Sequence, residues 1–297
     1  MSPFHYRALA TIWTLLAIFG LGLESAAQET VAVLSAELAP YQEAYAGFED
    51  AFGSPVTRVC LHRETPEVGP ETRLVVAFGG RAALTSYPDG VTVVYCLAPG
   101  VRLPLRADQG GRIRVAMLPR AGFVVSNLRE IQPDLARLGV LWVSETMGDY
   151  VSQLGQAAST FGIQTLAGRL GSEAELPDRL RGLLAESASG VWLAPDPALI
   201  NASTFALVKE FCRSSDIPFY VPTSGLVEKG AVASVSSSFR EVGKLAGEVA
   251  LEVLEGKTGD SVRYPQAVET TLNLAAAAES GLVIPAEVVK RAERVIR

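Results

Sequence analysis

The sequence is poor in the residues that chemistry usually needs. Histidine occurs twice, at His5 and His62, and cysteine only three times in 297 residues. No CxxC, no HExxH and no paired-His spacing occurs, so no metal site is expected. GxSxG is missing too, and a single histidine beyond the N-terminal segment is a poor start for a nucleophile–base pair. Gly79-Gly80 is a bare pair and not a dinucleotide fingerprint. No catalytic residue and no cofactor are therefore expected. Positive charge is also short: 26 Lys+Arg stand against 32 Asp+Glu, a net charge of −6. That balance leaves no basic footprint for a phosphate backbone and excludes nucleic acid as a partner.

Long apolar runs are absent except at the very start. Arg7 precedes the run Ala8–Leu23, which is followed by Glu24-Ser25-Ala26-Ala27. A positive residue, a short apolar stretch and small residues at a cut site are the marks of a secretory signal peptide. Residues 1–27 are read as that peptide, with cleavage after Ala27. An uncleaved anchor is the alternative, but 16 residues fall short of the roughly 20 that a membrane helix needs. No Cys follows the run, so no lipid anchor is expected. The mature protein is expected to be exported and periplasmic. Cys60, Cys96 and Cys212 all lie in it, and an odd count leaves at least one free thiol. The plain reading is three small buried side chains, with a Cys60–Cys96 bridge the open alternative in an oxidising compartment.

What is present is an alternation of strand-like and helix-like segments. Strands are expected at Thr30–Ser35, Pro55–Leu61, Leu74–Phe78, Val91–Leu97 and Arg112–Leu118, with helices at Pro40–Phe52 and Arg81–Ser86. A helix around Asn127–Leu138 leads into a strand at Val140–Val143. The rhythm then repeats through helix Asp149–Phe161, strand Ile163–Ala167, helix Glu173–Glu186, strand Gly190–Ala194 and a helix from about Ala198 to Arg213. Strands at Ile217–Val221 and Ala231–Ser236 precede Phe239–Glu255, whose Val242, Leu245, Val249 and Val253 fall on one helical stripe. A strand at Thr270–Leu274 and a helix over Ala286–Ile296 finish the chain. Near-continuous apolar strands separated by helices indicate parallel sheets covered on both faces. Two such series predict an α/β protein of two doubly wound lobes, with a ligand cleft between the lobes, where strand carboxyl ends meet.

Four stretches carry a family resemblance: LGVLWVSETMGDYVSQL (138–154), VWLAPDPALI (191–200), IPFYVPTSGLVEKGAVASVSSSFREVGKLAG (217–247) and LNLAAAAESGLVIPAEVVKRAERVI (272–296). Residues 138–296 resemble the exported substrate-binding proteins of ABC importers, in the branch that includes tryptophan/tyrosine-type binders. The resemblance is weaker in the N-terminal half, where it rests on LVVAFGGRAAL (74–84) and the strand order. It implies the type I periplasmic binding protein fold, two Rossmann-like lobes joined by three crossovers near 111–119, 234–238 and 260–267. The implied N-terminal lobe is 28–115 with 237–263, and the C-terminal lobe is 116–236 with 264–297. The implied ligand-binding residues sit in loops after the strands: Ser35, Gly79, Gly80 and Ala98 in the first lobe, and Ser144, Glu145, Thr146, Asp196, Thr223 and Ser224 in the second. Ser237 and Ser238 join them at the second crossover. Loops of this kind offer free N–H groups and hydroxyls, and each hydroxyl also suits a cap or turn.

The branch usually has acids at the positions aligned with Thr223 and Ser238. Hydroxyls there leave a buried ammonium without a partner, so an anionic or neutral solute is expected in place of a zwitterionic amino acid. The implied protein is a monomer, not an enzyme, with two partners: a small-molecule ligand and an ABC permease in the membrane. An exported sensor or accessory subunit, using the same fold to meet a membrane partner, is the alternative.

Overall fold

A computed structural model describes residues 29–104, 110–257 and 259–297. The expected signal peptide, 1–27, lies outside the described residues. In chain order the elements begin β1 (Thr30–Leu34), α1 (Ala39–Phe52), β2 (Thr57–Cys60), β3 (Leu74–Phe78), α2 (Gly80–Leu84), β4 (Thr92–Cys96) and β5 (Arg112–Val115). There follow α3 (Ala121–Ile131), β6 (Arg137–Trp142), α4 (Gly148–Thr160), β7 (Gln164–Arg169), α5 (Leu176–Ala185), β8 (Gly190–Leu193), α6 (Ala202–Ser214) and β9 (Phe219–Val221). The rest is α7 (Ser224–Val227), β10 (Ala233–Ser236), α8 (Phe239–Leu254), β11 (Val262–Arg263), β12 (Glu269–Asn273), α9 (Leu274–Glu279), α10 (Ala286–Arg291) and β13 (Arg294–Ile296).

The strands fall into two sheets because the chain folds as two compact units. Among the described residues, one unit takes 29–98, 103–115 and 239–263, and the other takes 99–102, 116–238 and 264–297. Against the lobes expected from sequence, Pro99–Arg102, Ser237 and Ser238 go with the second unit.

The first unit holds a six-stranded sheet, ordered β11-β5-β4-β3-β1-β2 and parallel throughout. Its central strands are buried along their whole length, which is why they read as unbroken apolar runs. On one face α1 brings Tyr45, Phe48 and Phe52 down at helical spacing, and Phe48 meets the Phe78 ring edge-on at 5.8 Å. Helix α8 packs beside α1, and glycine sets their separation. A Cβ at Gly243 would stand 1.7 Å from the Ala44 carbonyl oxygen, and one at Gly47 1.9 Å from that of Arg240. The buried face of α8 is accordingly Val242, Gly243, Ala246, Gly247, Val249 and Ala250. Leu245 and Val253, which the periodicity puts on the core stripe, are only half-buried, because a neighbouring helix this close accepts small residues in preference to large ones.

The second unit holds a seven-stranded sheet, ordered β13-β12-β10-β9-β8-β6-β7, in which β10 and β12 run antiparallel and the other neighbours parallel. Trp192 and Tyr220 fill one face with α3 and α4, while Leu193 and Phe219 fill the other with α5 and α6. Several boundaries differ from the sequence reading, each for a local reason. The helix expected at 127–138 is α3, Ala121–Ile131, and it stops before Pro133, which cannot continue a helix and pushes the preceding residue out of the α region. Leu138 thereby belongs to β6. Helix α6 begins at Ala202, not near Ala198, because the Asn201 side chain accepts from the Thr204 N–H and caps it. The terminal helix ends at Arg291, and Arg294–Ile296 pair with β12 as an edge strand.

All three cysteines are buried and free. Cys60 lies on β2 and Cys96 on β4, with β1 and β3 between them. Three strand spacings make about 14 Å, twice what a disulfide tolerates between Cα atoms. Burial pushes the Cys96 thiol well above its ordinary value and the Cys212 thiol up to about 12, so these two behave as apolar filling.

Candidate functional site

A doubly wound sheet opens a crevice at the carboxyl edge where the strand order reverses. In the first unit that point lies between β1 and β3, and the chain ties the two loops together there. The Ser35 N–H donates to the Phe78 carbonyl at 2.9 Å. Its buried hydroxyl accepts the Ala82 N–H at 2.9 Å, holding the first turn of α2. Gly79 has φ 98°, and a Cβ there would lie 2.5 Å from Ser35 Oγ and 2.8 Å from the Tyr41 ring. No other residue fits. Gly80 then opens α2, and Ala98 is buried just beyond β4, after Leu97 at φ 50°. The structure thus places Ser35, Gly79, Gly80 and Ala98 on the loops of three adjacent strands. It also adds Tyr41, half-buried against Gly79 and with its hydroxyl pushed up by burial and then by Cys96. A tyrosine one turn into the helix after β1 is the signal that would have found it.

In the second unit the reversal lies between β6 and β8, and Asp196 occupies it. This carboxylate has no exposed surface. Oδ2 accepts the Val143 N–H at 2.8 Å and the Ser144 N–H at 2.6 Å; Oδ1 accepts the Ser144 hydroxyl at 2.7 Å and the Ala198 N–H at 3.0 Å. Burial alone would raise its pKa, but the bonds from the Ser144 side chain, Ser144 N, Val143 N and Ala198 N outweigh burial and hold it below the ordinary carboxylate value. Asp196 therefore binds its own loops: it welds the turn after β8 to the turn after β6 and fixes where Ser144 and Glu145 start. Its full set of acceptor positions leaves little for a ligand.

Glu145 is exposed and pairs with Arg169 at 3.2 Å, and Asp149 pairs with Arg102. Thr146 Oγ1 is buried with no partner among the described residues, and so is Trp142 Nε1 at the end of β6. Buried donors without acceptors are rare in folded proteins, and these two sit on either side of Ser144. Sequence reasoning passed over Trp142; a tryptophan as the last residue of a strand at the reversal point was the available signal. Thr223 precedes α7 with extended backbone and does not cap it, and Ser224 opens that helix half-buried. The Ser237 hydroxyl donates to the Ala267 carbonyl at 2.6 Å, while Ser238 is half-buried beside it. Because β6, β8, β9 and β10 are consecutive and parallel, the loops bearing Ser144–Thr146, Asp196, Thr223-Ser224 and Ser237-Ser238 line one edge. Of these, the structure brings Ser144 and Asp196 into direct contact. Glu269, also missed, stands opposite Ser236 at the same edge, without an ion pair among the described residues.

The lowered pKa of Asp196 has a consequence with a definite sign. The group is deprotonated more readily folded than unfolded. Its contribution is therefore complete above the ordinary aspartate value of 3.8 and is lost as pH falls through the folded value. Thermal melting followed against pH should show a destabilisation at acid pH that Asp196→Asn flattens. An unchanged acid limb in the variant would refute the clamp.

Among the described residues, no group of three or more His, Cys, Asp or Glu is placed to hold a metal, and no helix is long and apolar enough to cross a membrane. The sequence model of the ABC transporter substrate binding protein family matches residues 123–296. No curated protein matches the sequence. Among solved structures, an ABC domain from Streptococcus pneumoniae in complex with L-Trp is 20% identical, covers 90% of this chain and 100% of its own, and superposes with a TM-score of 0.63. A conserved domain protein from Vibrio cholerae is 18% identical over 91% of this chain and 99% of its own, with a TM-score of 0.65. A ligand-free, open substrate-binding protein with adhesive properties from Clostridium difficile is 15% identical over 91% and 99%, with a TM-score of 0.64. At these identities the structures establish the fold, that of the type I periplasmic binding proteins.

Proposed function

Since the chain belongs to the ABC transporter substrate binding protein family, we propose that it is exported, captures a small molecule on the carboxyl-edge loops of its two sheets, and hands it to an ABC permease. Families of this kind bind and release; they do not transform what they carry, and the poverty of nucleophile–base pairs agrees with that. The observation that carries the reading is the preparation of both reversal points. Ser35 and Asp196 tie down the loops on which Gly79, Ser144 and Thr146 stand, so the ligand meets positions already ordered. Preorganised loops lose less entropy on binding.

The same edge favours an anionic or neutral solute over a zwitterionic amino acid. Asp196 has its oxygens occupied, Glu145 and Asp149 are paired, and positions 223 and 238 are hydroxyls. Trp142 Nε1 and Thr146 Oγ1 are buried on either side of Ser144 with no partner among the described residues. Glu269, on β12, stands beside the β10 loop that bears Ser237 and Ser238 and two strands, or about 10 Å, from the β9 loop that bears Thr223.

A thermal-shift screen against aromatic acids, amino acids, nucleosides and sugars tests this. A ligand that binds only the folded form raises Tm with concentration, by about 2.7 kcal/mol of stabilisation at a hundredfold excess over Kd. The expected hits carry a carboxylate or neutral acceptors. Thr223→Trp should abolish the shift while leaving the circular dichroism spectrum intact. A solute whose ammonium group is required for binding would overturn the class, and a shift indifferent to Thr223→Trp would overturn the site.

A further inference from the structure

The second unit has a recess at the opposite edge of its sheet, where none of the loops just described reach. It is a pocket of about 320 Å³ at the amino ends of β9 and β10. One wall is the C-terminal half of α6, with Lys209, Glu210 and Arg213, net positive by one charge; the other is α9, with Glu279. The floor is apolar, made by Ile217, Phe219 and Val232. The pocket's shape is stiff. Asn273 accepts the Ala276 N–H at 3.0 Å and donates to the Val227 carbonyl at 3.3 Å, which fixes α9 against the end of α7. Ser280 donates to the Ala276 carbonyl at 3.0 Å.

The charges are arranged by wall. Arg213 is held by Glu210 of its own helix, at 3.0 and 2.6 Å, and Lys209 donates to the Lys229 carbonyl at 3.2 Å. Both guanidinium and ammonium keep donors to spare after these bonds. Arg213 has its pKa raised first by the Glu210 hydrogen bond and also by the charge of Glu279. Glu279 and Arg213 both line this pocket, one from each helix. A wall carrying two cations and one acid thus lines the pocket with the single acid Glu279 of α9, over apolar surface.

We infer that this pocket is a second binding site, for a small zwitterion with an apolar side chain, such as a free hydrophobic amino acid. The carboxylate lies against Arg213 and Lys209, the ammonium group against Glu279, and the side chain on Phe219, Ile217 and Val232. Neither charged group alone satisfies both walls. The contrast with the carboxyl edge is chemical: that edge offers donors to an acceptor, whereas this recess offers both signs at once.

Calorimetric titration of the full mature chain tests the inference with three matched probes: L-phenylalanine, 3-phenylpropionate and phenethylamine. L-phenylalanine should bind, and each probe lacking one charge should bind about tenfold more weakly, the loss of one hydrogen-bonded charge contact. Glu279→Gln and Arg213→Gln, both exposed, should each weaken L-phenylalanine by a similar factor. Thr223→Trp should leave that affinity unchanged, which separates this site from the carboxyl edge. If L-phenylalanine gives no saturable heat at millimolar concentration, or if Glu279→Gln and Arg213→Gln leave its affinity unchanged, the site is refuted. If 3-phenylpropionate binds as tightly as L-phenylalanine, the zwitterion assignment is refuted. If binding is lost in Thr223→Trp alone, the amino acid occupies the carboxyl edge instead, and the second site is refuted.

Discussion

Asp196→Ala should loosen the carboxyl edge of the second unit's sheet and lower stability by about 3–5 kcal/mol, the range for removing one partner from a buried charged network. The size follows from what is left behind. Three backbone N–H groups, of Val143, Ser144 and Ala198, and the Ser144 hydroxyl lose their acceptor together, and each unsatisfied buried donor costs about 1–3 kcal/mol unless water reaches it. Chemical denaturation should show a midpoint shift far larger than that of Ser144→Ala, which removes one hydroxyl and leaves the three N–H bonds intact. The same variant should bind no solute at the carboxyl edge even at temperatures where circular dichroism reports a folded chain, because the turns after β6 and β8 are no longer welded. Equal midpoints for Asp196→Ala and Ser144→Ala would show that the carboxylate is ordinary loop filling.

The second large effect belongs to the other unit. Gly243→Val should destabilise by at least about 3 kcal/mol, at the upper end of overpacking costs, which for a chain of this size means a Tm fall of roughly 6–12 °C. A side chain at 243 meets a backbone oxygen, that of Ala44 at 1.7 Å, and a backbone atom in a helix cannot rotate aside. Helices α1 and α8 must separate, exposing Phe48 and Phe52 on one side and Ala246 and Ala250 on the other. Gly122→Ala is the control: the space around Gly122 is open, and the helix gains from alanine's propensity. Differential scanning calorimetry should therefore rank the two in opposite directions from wild type. A Gly243→Val protein that melts like wild type would mean that the two helices do not pack at this distance.

Much of the fold could be read from the chain alone. β1, β3, β4 and β8 are continuous apolar runs because they are buried on both faces, and burial on both faces is itself the mark of a parallel sheet. Helix α8 was visible from its period, although its buried face was misplaced: hydrophobicity selects Leu245 and Val253, and only the proximity of α1 explains why Gly243 and Ala246 face inward instead. β13 had no local signature, since three residues pair only because β12 offers an edge. The end of α3 was written in Pro133 and the start of α6 in Asn201, so these two boundaries were present in the sequence and outweighed by apolar periodicity.

The candidate site was legible in a different way. The family resemblance, carried over position by position, pointed to Ser35, Gly79, Ser144 and Asp196 in the loops after the strands. What they do depends on which strands are neighbours, and spacing along the chain carries no such information. Asp196 looks equally like a cap and like a ligand contact until β6 and β8 are known to be adjacent, at which point its four hydrogen bonds assign it to the loops. Thr146 was among the residues the resemblance implied and Trp142 was not, but that both bury a polar atom without a partner among the described residues could not be read from either, because a missing partner leaves no trace in sequence.

Calorimetric titration with the strongest binder from the solute screen, carried out on the mature chain and on Thr223→Trp, tests the proposed function most directly. The expected result is saturable binding with one Thr223-dependent site per chain, lost in a variant that remains folded. Heat that never saturates for any solute, or binding of equal strength in the variant, would contradict the reading of the carboxyl edge as the place where this protein holds its cargo.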